Sequence, residues 1–405
     1  MKLTLIAVLL LLVKWSDAQY SIQGRIVDGE TQQPLEGISV FLSNTTKGSA
    51  TNHKGEFVLD NLKVGKYELV ITAVNFEEHI LPIQVTEKNE TLTVKLTRKA
   101  TVLNEVTVEP YDKDGWDKWG DSFKTYLVGS SHLAKNCILK NPDAIKFQYN
   151  SKLNRLRAFS NERLLFDNTD LGYRVIYLLS KFEIDFNDAT FSFRGYPVFE
   201  ELRPKSKTEM ARWAKLRSDI YRGSLHHFIR SLYFNRSSSD GFTIREVKFI
   251  TPEESRRVKN ILKSMHRSED QAGVGGWANE KDSMDYYVKV KNLSFNDNMV
   301  VVRDNISGDN LLTRSTDPNS KSLFFKGELQ ILYLNKKIPI EYANTLPVNR
   351  RNEAIQSEIS LRIDTPVAIY PNGTYYNGLN LLIDGYWAWS ERIATMLPGD
   401  YVDGK

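Results

Sequence analysis

A mainly β N-terminal sandwich followed by a larger α+β domain with an antiparallel sheet is the fold class predicted by this 405-residue sequence. Three observations carry that expectation. Up to about residue 108, apolar and polar residues alternate between turn clusters, and only strands have a period of two. Beyond residue 117, longer alternating runs are joined by one extended stretch of helical spacing. The length also exceeds what one hydrophobic core usually organises, and 41% hydrophobic residues are enough to fill more than one.

The first 18 residues, MKLTLIAVLLLLVKWSDA, read as a secretory signal peptide. Lys2 gives a basic start, residues 3–13 form a short apolar run, and Ser16 and Ala18 place small residues before Gln19. That run is well short of the roughly 20 residues a spanning helix needs. Cleavage after Ala18 would remove Lys2, Lys14 and Asp17 and leave a net charge of +3 instead of +4. So weak a basic bias gives no ground for a nucleic-acid partner. The single cysteine, Cys137, allows no internal disulfide, and its neighbours Ile138 and Leu139 predict a small buried side chain.

Residues 19–108 are predicted as the sandwich. SIQGRIVD, ISVFLSN, GEFVLDN, GKYELVITAV, HILPIQV and TLTVKLT supply its strands. One motif inside it needs a decision, because His53 and Glu56 spell H-x-x-E, a spacing used for zinc. The surrounding TNHKG is turn chemistry, with Asn52 and Gly55 tolerating a chain reversal, and no third ligand follows. A hairpin turn is therefore expected. The same holds for His266 and Glu269, which sit in a polar stretch with no later His.

Gly24-x-Ile26-x-Asp28, Thr31-x-x-Pro34-Leu35-x-Gly37-Ile38-x-Val40, Thr51-Asn52-x-x-Gly55-x-Phe57-x-Leu59 and Val64-Gly65-x-Tyr67-x-Leu69 recur in order. This set resembles the carboxypeptidase-regulatory-like domain, a transthyretin-like (prealbumin-like) sandwich common in envelope proteins of Bacteroidota. The resemblance implies a non-catalytic appendage, so no metallocarboxypeptidase activity is expected. Asn75-Phe76 departs from the Gly-Tyr usual in that family, but Asn is the next-best residue for a left-handed position. Residues 103–108, LNEVTV, resemble the strand after this domain in plug-and-barrel outer-membrane receptors. Too few residues follow to build such a barrel.

Residues 109–116 are predicted as a linker and 117–405 as the α+β domain. Trp116, Trp119, Phe123 and Leu127 recur at helical spacing, so a helix is expected over 116–128. Its two indoles, with Asp117 and Asp121, are a candidate sugar platform, although packing against a core is the commoner use. AIKFQYN, RLRAF, RLLFDN, GYRVIYLLSKFEIDF and ATFSFRGYPVF are expected strands. One long helix is expected over 206–234, its apolar stripe carrying Trp213, Tyr221, Leu225 and Phe228 and its other side basic. His226 and His227 are adjacent there and so point apart.

Residues 264–284 read as a Gly-rich loop, followed by strands at YYVKVKN, NMVVVRD, FFKGELQILYL, EISLRID and GLNLLIDGYWAW, then a short helix at SERIATMLPGDY. On the last strand Trp387 and Trp389 would alternate on one face. The C-terminal run GYWAWSERIATMLPGDY resembles that of stand-alone proteins carrying the same N-terminal domain.

No nucleophile elbow, phosphate loop, dinucleotide fingerprint or zinc-protease motif is present. The sequence assigns no catalytic or metal-ligating residue and no cofactor, and it identifies no binding residue. Acidic pairs such as Glu183 with Asp185 and Glu200 with Glu201 occur, but hydrolytic carboxylates are defined by their separation in space, not by spacing along the chain. The expected function is that of an exported, non-enzymatic cell-envelope protein of a Gram-negative bacterium, periplasmic or outer-membrane-associated at the cell surface. Its partner would be an envelope protein or a surface glycan, with no transmembrane helix. The alternative is an envelope hydrolase with carboxylates in the C-terminal domain.

Overall fold

The computed structural model describes residues 20–86, 90–99, 111–269, 281–293, 299–351 and 353–404. The signal-peptide reading and the LNEVTV segment lie outside those residues. The chain is mainly β, with an N-terminal sandwich and a larger α+β region. Seven strands build the sandwich: β1 (Tyr20–Asp28), β2 (Ser39–Leu42), β3 (Gly48–Ala50), β4 (Glu56–Leu62), β5 (Gly65–Thr72), β6 (His79–Val85) and β7 (Glu90–Leu96). They form one sheet in the order β4-β1-β7 and another in the order β3-β2-β5-β6. Alternation explains the core, since Ile26, Phe57, Leu59, Leu69, Ile71 and Leu96 point between the sheets and are almost fully buried. β1 and β7 pair in parallel, Gly24 opposite Leu92. A Cβ on Gly24 would meet the Leu92 carbonyl oxygen at 2.6 Å, so that position requires glycine.

A second sheet follows, from β8 (Cys137–Leu139), β9 (Ile145–Asn150), β10 (Arg155–Ser160), β11 (Leu164–Asn168), β12 (Tyr173–Asp185) and β13 (Thr190–Glu201). The 13-residue β12 is its spine. β11 and β10 each pair with part of β12, and β13 pairs along its whole length. The Gly115–Phe123 helix, extended by a wide turn over Lys124–Val128, covers the core with Phe123 and Leu127. The predicted 116–128 helix is thus present.

The long helix predicted over 206–234 is two helices, Lys207–Tyr221 and Leu225–Tyr233. The break has a local cause. Gly223 takes a positive φ of 81°, and the Ser224 side chain accepts the His227 N–H at 3.1 Å, capping a new helix.

The third part holds β14 (Phe242–Phe249), β15 (Met299–Arg303), β16 (Leu312–Arg314), β17 (Lys321–Leu323), β18 (Glu328–Lys337), β19 (Ala354–Leu361), β20 (Val367–Ile369), β21 (Tyr375–Tyr376) and β22 (Leu381–Gly385). One sheet runs β15-β14-β18-β19-β22 and a smaller one β16-β17-β20-β21. Between β14 and β15 come the helices Pro252–Glu269 and Lys281–Lys291. This corrects two expectations. The stretch predicted as a loop is helical at both ends, with 270–280 outside the described residues. YYVKVKN belongs to a helix, because Tyr286, Tyr287 and Val290 pack beside Val258 and Leu262. The run predicted as one last strand also changes course after Gly385. Residues 386–390 form a helical turn, and the expected final helix is only a three-residue turn, Ile393–Thr395.

The sandwich is pressed against the second sheet. Phe41 and Val70 from its outer face are buried with Leu178, Tyr196 and Val198. Beside them Asn44 N donates to the Pro197 carbonyl at 2.6 Å, and Phe199 N donates to the Thr45 carbonyl at 2.9 Å. The C-terminal segment then ties the parts together. Gly399 N donates to the Asn44 carbonyl at 2.6 Å, and the Asp400 carboxylate accepts the Thr46 N–H at 3.0 Å and its hydroxyl at 2.5 Å.

Candidate functional site

Where the sandwich, β13, the helix pair and the C-terminal segment meet, they leave a cleft of about 640 Å³. Its walls come from residues far apart in sequence. β5 gives Lys66, Tyr67 and Glu68, β13 gives Phe193, Arg194, Gly195 and Pro197, the helices give Tyr221 and His226, and Thr374 to Leu379 close one side. That volume falls within the roughly 300–1,000 Å³ typical of ligand sites.

A tight turn at Asn372 fixes the geometry. The Asn372 side-chain amide donates to the Tyr67 hydroxyl at 2.9 Å, and that hydroxyl donates to the Lys63 carbonyl at 3.0 Å. The Asn372 carbonyl lies 2.7 Å from His226 Nε2. A carbonyl can only accept, so Nε2 carries the proton. Burial pulls the His226 imidazole down to about 4 and keeps it neutral. The next residue, Gly373, has a φ of 87°, and a Cβ there would sit 2.1 Å from His226 Cδ2. One asparagine therefore joins the sandwich to the helix pair.

The polar wall is unusually poised. Glu391 stands at the start of the Leu225–Tyr233 helix, where burial pushes its carboxyl up to about 7 although the Leu225 N–H opposes the shift. Beside it, burial draws the Arg392 guanidinium down to about 10, against the pull of Glu391. Arg392 lies over Phe191 at 4.7 Å and Phe193 at 5.3 Å. Burial raises the Glu68 carboxyl too, despite Arg194 at 3.9 Å. Lys66 Nζ sits 3.3 Å above the Tyr376 ring.

Three hydroxyls nearby are already engaged. Ser224 caps its helix, Thr374 donates to Asn372 Oδ1 at 2.7 Å, and Thr395 donates to the Arg392 carbonyl at 3.1 Å and to the Ser390 carbonyl. Thr374 and Thr395, which donate to fixed oxygens, are not poised as nucleophiles, which need an adjacent base to accept their proton. The arrangement offers aromatic faces, donors and acceptors, and one carboxyl that changes charge near neutrality.

Of the residues singled out in the sequence, Tyr221 and His226 reach the cleft and the candidate metal, sugar-platform and acidic residues lie elsewhere. His53 sits in a turn where Asn52 Oδ1 accepts the Lys54 N–H at 2.9 Å and the Glu56 N–H at 3.0 Å. Gly55 there has a φ of 73°. Among the described residues, no three His, Cys, Asp or Glu side chains group around a metal position. Trp116 packs on Phe147, and Trp119 packs on Tyr149 while donating to Asp112 at 2.7 Å, so neither indole forms a platform with Asp117 and Asp121. Trp387 is 1% exposed and donates to the Gly223 carbonyl at 2.8 Å. Trp389, on the same helical turn, donates to Ser130 at 3.0 Å. Glu183, Asp185 and Glu201 are paired with Arg157, Arg155 and Arg217. Cys137 is buried, and its thiol is pushed up to about 12. Glu391, Asn372 and His226 were not legible as a group, because only tertiary packing unites them.

Comparison with known proteins bears on the sandwich. Residues 22–108 match the family model of the CarboxypepD_reg-like domain. The chain carries a CarboxypepD_reg-like domain. That domain contributes Ser43, Asn44 and the β5 residues to the cleft. No curated protein matches this sequence. Among solved structures, a cohesin–X-dockerin complex from Acetivibrio cellulolyticus is 25% identical over 19% of this chain and 52% of that one, at a TM-score of 0.17. The match therefore spans about half of that chain. A minor pilin from Streptococcus agalactiae is 18% identical over 22% of this chain and 48% of its own, at 0.18. A Bacteroides fragilis protein of unknown function is 12% identical over 89% of this chain and 99% of its own, at 0.17. Among the described residues, no helix is long and apolar enough to cross a membrane.

Proposed function

We propose that this chain is an exported cell-envelope binding protein whose ligand enters the cleft between its CarboxypepD_reg-like domain and the α+β region. The observation that supports this most is the composite wall. Three separately cored parts converge on one concave surface rich in tyrosine, where the hydroxyls of Tyr67, Ser224, Thr374 and Thr395 are held in structural bonds. Binding sites favour such junctions, with aromatic faces for area and a few placed polar groups for orientation. The apolar run of residues 3–13 supports export, with a mature chain beginning at Gln19.

A photo-crosslinking side chain placed at Leu379, which is 62% exposed on the cleft rim, tests the reading in intact cells. It should yield a discrete adduct that Tyr376→Ala weakens. The same group at Val348, 77% exposed and outside the cleft wall, should not yield it. Identical adducts from both positions would overturn the assignment. Mass spectrometry of the same material should find Gln19 at the N-terminus.

A further inference from the structure

Strand β13 does not use its whole outer edge. Along an antiparallel strand, N–H and C=O groups alternate sides, so every second residue faces away from the paired neighbour. The Pro197 carbonyl and the Phe199 N–H face outward, because they bond to Asn44 and Thr45 of the sandwich. By the same alternation Phe191, Phe193 and Gly195 also face outward. The register with β12 keeps one β13 residue per step, as the irregularity at Leu179 to Lys181 adds its extra residue to β12. Among the described residues, no strand other than β12 pairs with β13 over 190–195, and no backbone hydrogen bond reaches those three outward N–H and C=O groups. Phe193, Arg194 and Gly195 line the cleft.

We propose that the ligand is an extended polypeptide segment of a partner protein, added as a further strand to the free edge of β13. This rests on the cleft being the binding site. The edge already accepts a strand-like backbone from the sandwich at Thr45, and the same row of donors and acceptors continues through the cleft wall at Gly195 and Phe193 and on to Phe191, about 17 Å of strand. Long, apolar, unprotected edges are normally blunted by lysine, proline or a covering element. Here Phe191 and Phe193 stack at 6.3 Å with an interplanar angle of 11° beside the open row. At Gly195 a Cβ would meet the Tyr177 ring at 2.4 Å, so that position of the edge carries no side chain. Backbone pairing would supply affinity, and the tyrosines that line the same cleft would select alternate side chains.

The probe is a set of synthetic dodecapeptides selected from a random display library on the full chain. Binding should slow hydrogen exchange at the amides of Phe191, Phe193 and Gly195, and leave Ser192 and Arg194, which already face β12, unchanged. N-methylating alternate residues of a selected peptide should weaken it roughly tenfold or more in one register and little in the other. Phe193→Pro removes one outward donor at a position where an edge strand tolerates proline, and should weaken binding similarly. Should that variant misfold, the N-methylated peptides still decide. Failure to select any peptide, exchange unchanged at the three amides, or indifference to N-methylation would overturn strand addition. A Leu379 adduct that persists in that case, for example to a glycan, would leave the cleft assignment standing. Absence of both would remove both.

Discussion

Glu391 shows how one side chain acquires a property its sequence neighbourhood hides. SERIAT reads as an ordinary helical turn, yet the carboxyl is carried against the Leu225–Tyr233 helix and desolvated from an ordinary 4.5 to about 7. The fold therefore prefers it neutral. Its support is complete below pH 4.5 and is lost as the pH rises through about 7. His226 and His227 act in the opposite sense. Burial lowers both to about 4, so their support is complete above 6.5 and is lost as the pH falls through 4. Glu391→Gln keeps an acceptor for Leu225 but cannot ionise. The variant should match wild type near pH 4.5 and become more stable than it by pH 7.5, by up to about 3 kcal/mol. Urea titrations at the two pH values measure the difference, and an equal offset at both would rule out Glu391 as its source.

At the scale of elements, the helix pair turns on Gly223. A Cβ at this left-handed position would lie 2.5 Å from Tyr333 Cδ1, so Gly223→Ala should cost more than about 1 kcal/mol. Ser224→Ala should cost about 1 kcal/mol through the lost cap. Equilibrium unfolding checks both, and a neutral Gly223→Ala would mean the two helices can fuse. The same region explains what the sequence revealed. β12 and β13 were legible because 12 or 13 residues of alternation fit no other period. The break at Gly223 was not, since its apolar stripe runs on in phase from Tyr221 to Leu225. YYVKVKN fits both periods over seven residues, and contact with Val258 decides for the helix. β16, β17, β20 and β21 have three residues or fewer, too short to show a period. The cleft could not be read at all, because Asn372 and Tyr67 meet across 305 residues.

For the whole molecule, the question is how far the sandwich depends on what it touches. Its own core is complete, and residues 19–108 are expected to fold alone with a cooperative transition. Phe41 and Val70, however, are almost fully buried only because the second sheet covers them. Phe41→Ala should therefore destabilise the full chain by about 3 kcal/mol and the isolated fragment by much less. Paired denaturation curves test this. Equal losses in both would place the Phe41 ring in the sandwich's own core, and an unfolded fragment would show that the sandwich needs its neighbour to form.

The C-terminal segment carries a consequence for the order of events during synthesis. Ile393 and Ala394 are fully buried in the core of the second sheet, and the Asn168 side chain donates to the Ala394 carbonyl at 2.8 Å across 226 residues. Thr46 waits still longer, for Asp400, 354 residues away. Contacts of such separation form late, because the intervening chain must first be confined. A ribosome delivers every strand of that sheet well before it delivers Ile393 and Ala394. Until then the nascent chain must carry Leu133, Phe166 and Leu171 beneath an incomplete cover, a state prone to aggregation. The first large sheet to be made is among the last to be sealed.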